Sequence, residues 1–252
     1  MLGEELLSTP ISFRLGFCCF SKCYLAIWHN DNRARLENLV WVANRDTPIS
    51  DDPPPSLTID DYGNLTISYN GGRSRFVLYS GQEARLNASV VLRDSGNFVL
   101  RELNSDGSEK RVLWQSFDYP TNILLPGMKL GVNRITGQTW SLRSWRGVDV
   151  AAEGSFTFGV DPNNTNQLVI LWHQDIYWTS GSFNSSSSLL TDSYCNFSNI
   201  SNENETSFTC TQAQLAIDYL GILSDGSGTL VNCTTSDFSN SRKGCMCAAR
   251  AS

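Results

Sequence analysis

At 252 residues the chain is long enough for one large or two modest domains with a real hydrophobic core. Its composition, 40% hydrophobic, 11% aromatic and 17% charged, is rich in Gly, Ser, Thr and Asn and poor in strong helix formers, which favours many short strands over long helices. A formal net charge of −6 with no basic stripe excludes nucleic acid and an anionic membrane surface as partners.

The opening, Met1-Leu-Gly-Glu-Glu-Leu-Leu7, is acidic and lacks an apolar h-region, so it is not a signal peptide. No stretch approaches the length of a membrane span, so no membrane contact by this chain itself is expected. Strand-like sequence begins almost at once, and the chain stops just after Cys245-Met-Cys247. Both ends therefore read as cut, and a mature or truncated fragment of a longer protein, or a truncated gene product, is expected.

Short alternating segments follow. Leu25 with Ile27, Val40 with Val42, Leu57 with Ile59, Leu65 with Ile67, Val77 with Tyr79 and Val90 with Leu92 have strand spacing. Turn signals separate them at Asp51-Asp-Pro-Pro-Pro55, Gly71-Gly72 and Asn104-Ser-Asp-Gly107. No segment before residue 120 keeps a helical period, so an all-β barrel, prism or sandwich is predicted. Inside it lies a repeat: Leu57-Thr-Ile-Asp-Asp-Tyr-Gly-Asn64-Leu-Thr-Ile67 echoes Val90-Val-Leu-Arg-Asp-Ser-Gly-Asn97-Phe-Val-Leu100. In each copy a strand runs into Asp-x-Gly-Asn, where Gly can take positive φ, and leaves as another strand; this spacing points to internal symmetry around a shared core.

Eight cysteines are placed unevenly: Cys18, Cys19 and Cys23 near the start, then Cys195, Cys210, Cys233, Cys245 and Cys247. The central region must stand on its own apolar core, whereas the thinly apolar C-terminal stretch suits disulfide staples in an oxidising compartment. Zinc is the weaker reading for Cys233, Cys245 and Cys247, which lack paired CxxC spacing and nearby His. Three early and five late cysteines leave either a pair bridging the two halves or a free thiol, with connectivity open. Asn-x-Ser/Thr acceptors start at Asn64, Asn87, Asn163, Asn184, Asn196, Asn199, Asn204 and Asn232, the mark of a secreted glycoprotein. The segment Gln212 to Leu220 is open between a short helix and the edge of a further module.

Several long motifs are similar to one family. Tyr24-Leu-Ala-Ile-Trp28, Val40-Trp-Val-Ala-Asn-Arg-Asp-Thr-Pro-Ile49, the two Asp-x-Gly-Asn strands and Leu113-Trp-Gln-Ser-Phe-Asp-Tyr-Pro120 through Gly131 resemble the bulb-type lectin domain of plant S-domain (G-type lectin) receptor kinases and S-locus glycoproteins. Leu142-Arg-Ser-Trp-Arg146, Glu153-Gly-Ser-Phe-Thr157 and Tyr177-Trp-Thr-Ser-Gly181 look like the S-locus glycoprotein region of that family. The resemblance covers about residues 12 to 183. It implies a β-prism II lectin domain at 1–120, a β-rich S-locus glycoprotein-like domain at 121–240 and the truncated start of a Cys-rich EGF- or PAN-like module at 241–252. Trp28, Trp41 and Trp114 are then expected as core packers.

Mannose-binding members of the wider family carry Gln-x-Asp-x-Asn-x-Val-x-Tyr on one strand. Period-two spacing sets these side chains on one face, with polar groups for the sugar hydroxyls and Val against the ring carbons. Here the second repeat offers Arg93-x-Ser95-x-Asn97-x-Val99-x-Arg101 and the first Asp60-x-Tyr62-x-Asn64-x-Thr66-x-Ser68, so only Asn97, Val99 and Asn64 match. The site is degenerate, and Asn64 itself begins a sequon. His29 and His173 show neither metal spacing nor a nucleophile motif, and no phosphate loop or kinase motif is present, so no catalytic residue, cofactor or metal is expected. The resemblance implies an ectodomain at the cell surface that recognises a peptide, protein or glycan ligand in signalling such as pollen self-recognition or defence, with homodimerisation or a co-receptor as further contacts. A mannose-type lectin and a soluble decoy are the alternatives.

Overall fold

The computed structural model describes residues 2–31, 34–81, 86–182, 195 and 197–232. Among them the only helices are two short 3₁₀ turns; the rest of the regular structure is antiparallel sheet. The chain divides into two compact units, Met1–Tyr119 and Pro120–Ser252.

The first unit holds β1 (Leu2–Leu7), β2 (Phe13–Cys19), β3 (Cys23–His29), β4 (Leu39–Val42), β5 (Ser56–Ile59), β6 (Leu65–Tyr69), β7 (Ser74–Tyr79), β8 (Ala88–Leu92), β9 (Phe98–Leu103) and β10 (Glu109–Gln115). They form three antiparallel sheets: β1-β2-β3-β4, β5-β6-β7 and β8-β9-β10. Every apolar pair expected from spacing falls in a strand. All-β architecture of several antiparallel sheets follows, as a bulb-type lectin domain requires.

The core is made where the sheets turn their apolar residues inward. Trp28, Leu65, Ile67, Leu92, Phe98 and Leu100 are fully buried. Trp41 on β4, Phe98 on β9 and Trp114 on β10 form an aromatic triangle with ring centroids 5.8 to 6.5 Å apart, so the first sheet is locked to the third by tilted and edge-to-face ring contacts. The Trp41 indole donates to the Tyr119 carbonyl at 2.8 Å, satisfying its one polar group. All three tryptophans expected as packers are buried.

The second unit contains β11 (Ile123–Leu124), β12 (Lys129–Asn133), β13 (Thr139–Trp140), β14 (Leu142–Gly147), β15 (Val150–Val160), β16 (Leu168–Trp172), β17 (Asp175–Thr179), β18 (Phe197–Ser201), β19 (Glu205–Cys210), β20 (Leu215–Ile217), β21 (Leu223–Asp225) and β22 (Gly228–Val231). Its sheets run β13-β12-β19-β18, β14-β15-β16-β17 and β11-β20-β21-β22. The helical alternative for Gln212–Leu220 is corrected here. Leu215 and Ile217, both fully buried, sit on β20, which pairs with β11 and β21; period-two burial overrides the local preference. The early cysteines and part of the late set are also settled: Cys19 bonds Cys23, Cys195 bonds Cys210, and Cys18 is a buried free thiol. Of the two open readings, the free thiol is the one seen among the described residues. Cys233, Cys245 and Cys247, and with them the module expected at 241–252, lie outside the described residues.

Candidate functional site

The two Asp-x-Gly-Asn segments fold alike. In the first, the Asp60 N–H donates to the Asn64 carbonyl and the Gly63 N–H to the Asp60 carbonyl; in the second, Arg93 donates to Asn97 and Gly96 to Arg93 in the same pattern. Gly63 and Gly96 have φ of 76° and 83°, a conformation that side chains with a Cβ resist. The sequence repeat is thus a structural repeat.

Each repeat then uses its Asn to fasten the middle strand to the chain beyond the third strand. The Asn64 Oδ1 accepts from the Gly81 N–H at 2.9 Å, while its Nδ2 donates to Asp60 Oδ2 at 2.7 Å. The second of these bonds holds the Asp60 carboxyl below the usual carboxylate range. Asn97 Oδ1 accepts from the Phe117 N–H and the Ser116 hydroxyl, both at 3.3 Å, and its Nδ2 donates to Gln115 Oε1 at 2.9 Å. The Ser116 hydroxyl in turn accepts from the Phe98 N–H. Asn97 is 5% exposed and Val99 is fully buried. The matching side chains at Asn97 and Val99 therefore face protein, and the Asn97 amide is used on both its oxygen and its nitrogen.

The flanking motif positions have a different fate. Arg93 Nη2 meets both carboxylate oxygens of Glu109, at 2.9 and 3.0 Å, and Arg101 Nη1 lies 3.6 Å from Glu109 Oε2. Where the sugar motif has Gln and Tyr, this chain has two guanidinium groups sharing one carboxylate. Beside them Glu102, only 7% exposed, accepts from Lys110 Nζ and Arg111 Nε, each at 2.7 Å. The Lys110 bond and then the Arg111 bond hold its carboxyl below the usual glutamate range. Ion pairs thus occupy the polar capacity that hydroxyl recognition needs.

Asn44, in the Trp-Val-Ala-Asn-Arg motif, has a role that spacing did not suggest. It is 1% exposed; its Oδ1 accepts from the Leu25 N–H at 2.9 Å, and its Nδ2 donates to the carbonyls of Thr47 and Cys23. The signal was an amide following the apolar run Val40-Trp-Val-Ala, since a polar group buried there must find partners.

Among the described sequon acceptors, Asn87, Asn163, Asn199, Asn204 and Asn232 are exposed, while Asn64 is half-buried; Asn184 and Asn196 lie outside the described residues. No group of three His, Cys, Asp or Glu among the described residues has metal-binding geometry.

The sequence of the first unit and its flank matches a known family over residues 38–146, described as D-mannose binding lectin. The chain is 49% identical over 182 residues to the G-type lectin S-receptor-like serine/threonine-protein kinase CES101 of Arabidopsis thaliana, covering 71% of this chain and 21% of that protein. It is 48% identical over 188 residues to the G-type lectin S-receptor-like serine/threonine-protein kinase At1g67520 of the same plant, and 38% identical over 184 residues to the S-locus-specific glycoprotein S6 of Brassica oleracea. Over about seven-tenths of its length the chain is a relative of plant G-type lectin S-receptor kinases. It spans about a fifth of the length of the receptor kinases and 39% of the S-locus-specific glycoprotein. What it shares with the kinases is their lectin-bearing part. In this chain Asn64 and Asn97 serve as internal clamps and Val99 as core. No helix among the described residues is long and apolar enough to cross a membrane.

Proposed function

We propose that this chain is the extracellular ligand-recognition module of a plant S-domain receptor, binding a protein or peptide ligand on behalf of a kinase carried by the receptor. The observation that carries this reading is the internal commitment of Asn97, Val99 and Asn64: groups that would contact a sugar are spent on the fold. Exposed sequon acceptors at Asn87, Asn163, Asn199, Asn204 and Asn232 support an extracellular glycoprotein, as do disulfides in both units. The likeness to receptor kinases and to an S-locus-specific glycoprotein supports a role in cell-surface signalling such as self-recognition or defence, with homodimerisation or a co-receptor as partner contacts.

Mannose binding is the second reading, favoured by the match to the D-mannose binding lectin family. Nuclear magnetic resonance titration with methyl α-mannoside separates the two. The protein-recognition reading expects no saturable shift in the backbone amides of residues 93–101 or 60–68, and binding to secreted Cys-rich peptides that mannose does not compete. Saturable shifts confined to either repeat would overturn it. Sedimentation of the secreted chain tests the homodimer.

A further inference from the structure

The second unit has a cleft of about 350 Å³ on the face of β15 and β16, the size of a small-ligand site. Val169, Leu171 and Trp140 give its walls apolar surface, and Thr139, Ser141 and Thr157 bring hydroxyl-bearing side chains. One side is a loop, and that loop carries a sequon, Asn163-Asn164-Thr165. Pro162 and Thr165 on either side of Asn163 both line the cleft, and Asn163 itself is exposed. The loop is fixed from beneath. Asp161, 3% exposed, accepts from the Asn163 N–H at 2.8 Å and from Gln167 Nε2 at 2.6 Å, and its own N–H donates to the Gln167 carbonyl. An attached sugar therefore starts from a held anchor at the rim.

We propose that the first N-acetylglucosamine of a glycan on Asn163 folds back into this cleft and is a packed part of the second unit. This rests on the extracellular glycoprotein reading above. The chemistry of the occupant suits the walls. A pyranose chair presents an apolar C–H face, and the N-acetyl group adds a methyl, which pack on Trp140 and Leu171; ring hydroxyls and the acetamide find the Thr and Ser hydroxyls. Covalent attachment supplies a high effective concentration, so a contact too weak to capture a free sugar still holds a tethered one. Asn199 on β18 and Asn204 in the β18–β19 turn are exposed, and neither they nor their immediate neighbours line this cleft, so they serve as internal controls.

The test uses the whole chain, secreted from cells restricted to uniform high-mannose glycans. Glycopeptide mass spectrometry follows native peptide-N-glycosidase release at Asn163, Asn199 and Asn204 with time. Release at Asn163 is expected to be roughly tenfold slower than at the other two, equivalent to about 1.4 kcal/mol of protection. Leu171→Asp, and separately Thr139→Arg at the exposed cleft edge, leave the sequon intact and are expected to bring Asn163 up to the control rate. Equal rates at all three sites in the unaltered chain would overturn the assignment, as would a bare Asn163 beside occupied Asn199 and Asn204. Absence of sugar at all three removes the glycoprotein reading itself, and this assignment with it.

Discussion

Replacing Asn97 with alanine distinguishes a structural clamp from a ligand group. The substitution takes an acceptor from the Phe117 N–H and the Ser116 hydroxyl, and a donor from Gln115 Oε1. Ser116 is fully buried while Phe117 and Gln115 are half-buried, so Gln115 recovers water, the Ser116 hydroxyl loses its acceptor in a dry setting and the Phe117 N–H loses one in a partly dry setting. At about 1–3 kcal/mol for each unsatisfied buried group, Asn97→Ala is expected to cost about 2–4 kcal/mol. That is a large part of a stability of roughly 5–15 kcal/mol. The assay is urea unfolding followed by tryptophan fluorescence, fitted to two transitions because the chain has two compact units. With m of about 1–3 kcal/mol per molar, the transition of the first unit should move down by roughly 1–2 M. Asn97→Asp keeps both acceptor contacts, and a turned Gln115 amide can donate to it, so an intermediate loss is expected. A loss below about 0.5 kcal/mol for Asn97→Ala would refute the clamp and return this amide to the list of ligand groups.

Three further outcomes follow from the same geometry. Gly81→Ala should lower the melting temperature of the first unit, because its Cβ would stand 1.8 Å from the Tyr62 carbonyl oxygen on the segment that Asn64 clamps; overpacking of about 1–3 kcal/mol is expected, and an unchanged melting temperature would contradict it. Glu102, with its pKa lowered by Lys110 and Arg111, contributes stability that is present above the unfolded glutamate value and is lost as pH falls through its folded value. Glu102→Gln should therefore destabilise at neutral pH and flatten the acid limb of a pH–stability curve, whereas parallel curves would count against the pairing. Burial pushes the Cys18 thiol up to about 12, with the Glu5 carboxylate adding to it, so its contribution is complete below the unfolded value and is lost as pH rises towards 12. Native chain should resist alkylation at Cys18 at pH 8 yet label fully in denaturant, and Cys18→Ala should remove part of the alkaline loss; rapid native labelling would show the site to be open.

The strands of the first unit were legible because their apolar residues alternate and because one register buries them. Leu65 and Ile67 are both fully buried on β6, and slipping by one residue would turn both to the opposite face, where Thr66 now sits. The repeat was legible for a different reason: its turns demand Gly at positive φ, and that demand is written at Gly63 and Gly96. β20 was not legible. Its partner β11 lies far back in the chain, where Ile123 pairs with Ala216, and nothing local to Gln212–Leu220 encodes so distant a pairing. Asn44 was legible as an amide that needs partners after an apolar run, but not which partners, since its three bonds depend on where Cys23, Leu25 and Thr47 arrive.

The candidate site shows the limit of a spacing argument more sharply. Period two predicts that Asn97, Val99 and Arg101 share a face, but it does not say whether that face is open. β9 is the middle strand of its sheet, and Phe98, Val99 and Leu100 are all fully buried, so both faces are covered over that stretch and neither offers a ligand surface. Only beyond Leu100 does the strand reach partial exposure, and there Arg101 meets Glu109. Asn at 64 and 97 then has a use independent of sugar. Asn offers an acceptor and donors on one short side chain, so a single residue caps an N–H past the third strand and bonds a second group. The positions at 93 and 101, Gln and Tyr in the sugar motif, have no such duty here and are Arg, paired with Glu109. An Asn with a duty in the fold is, by its presence alone, no measure of sugar affinity.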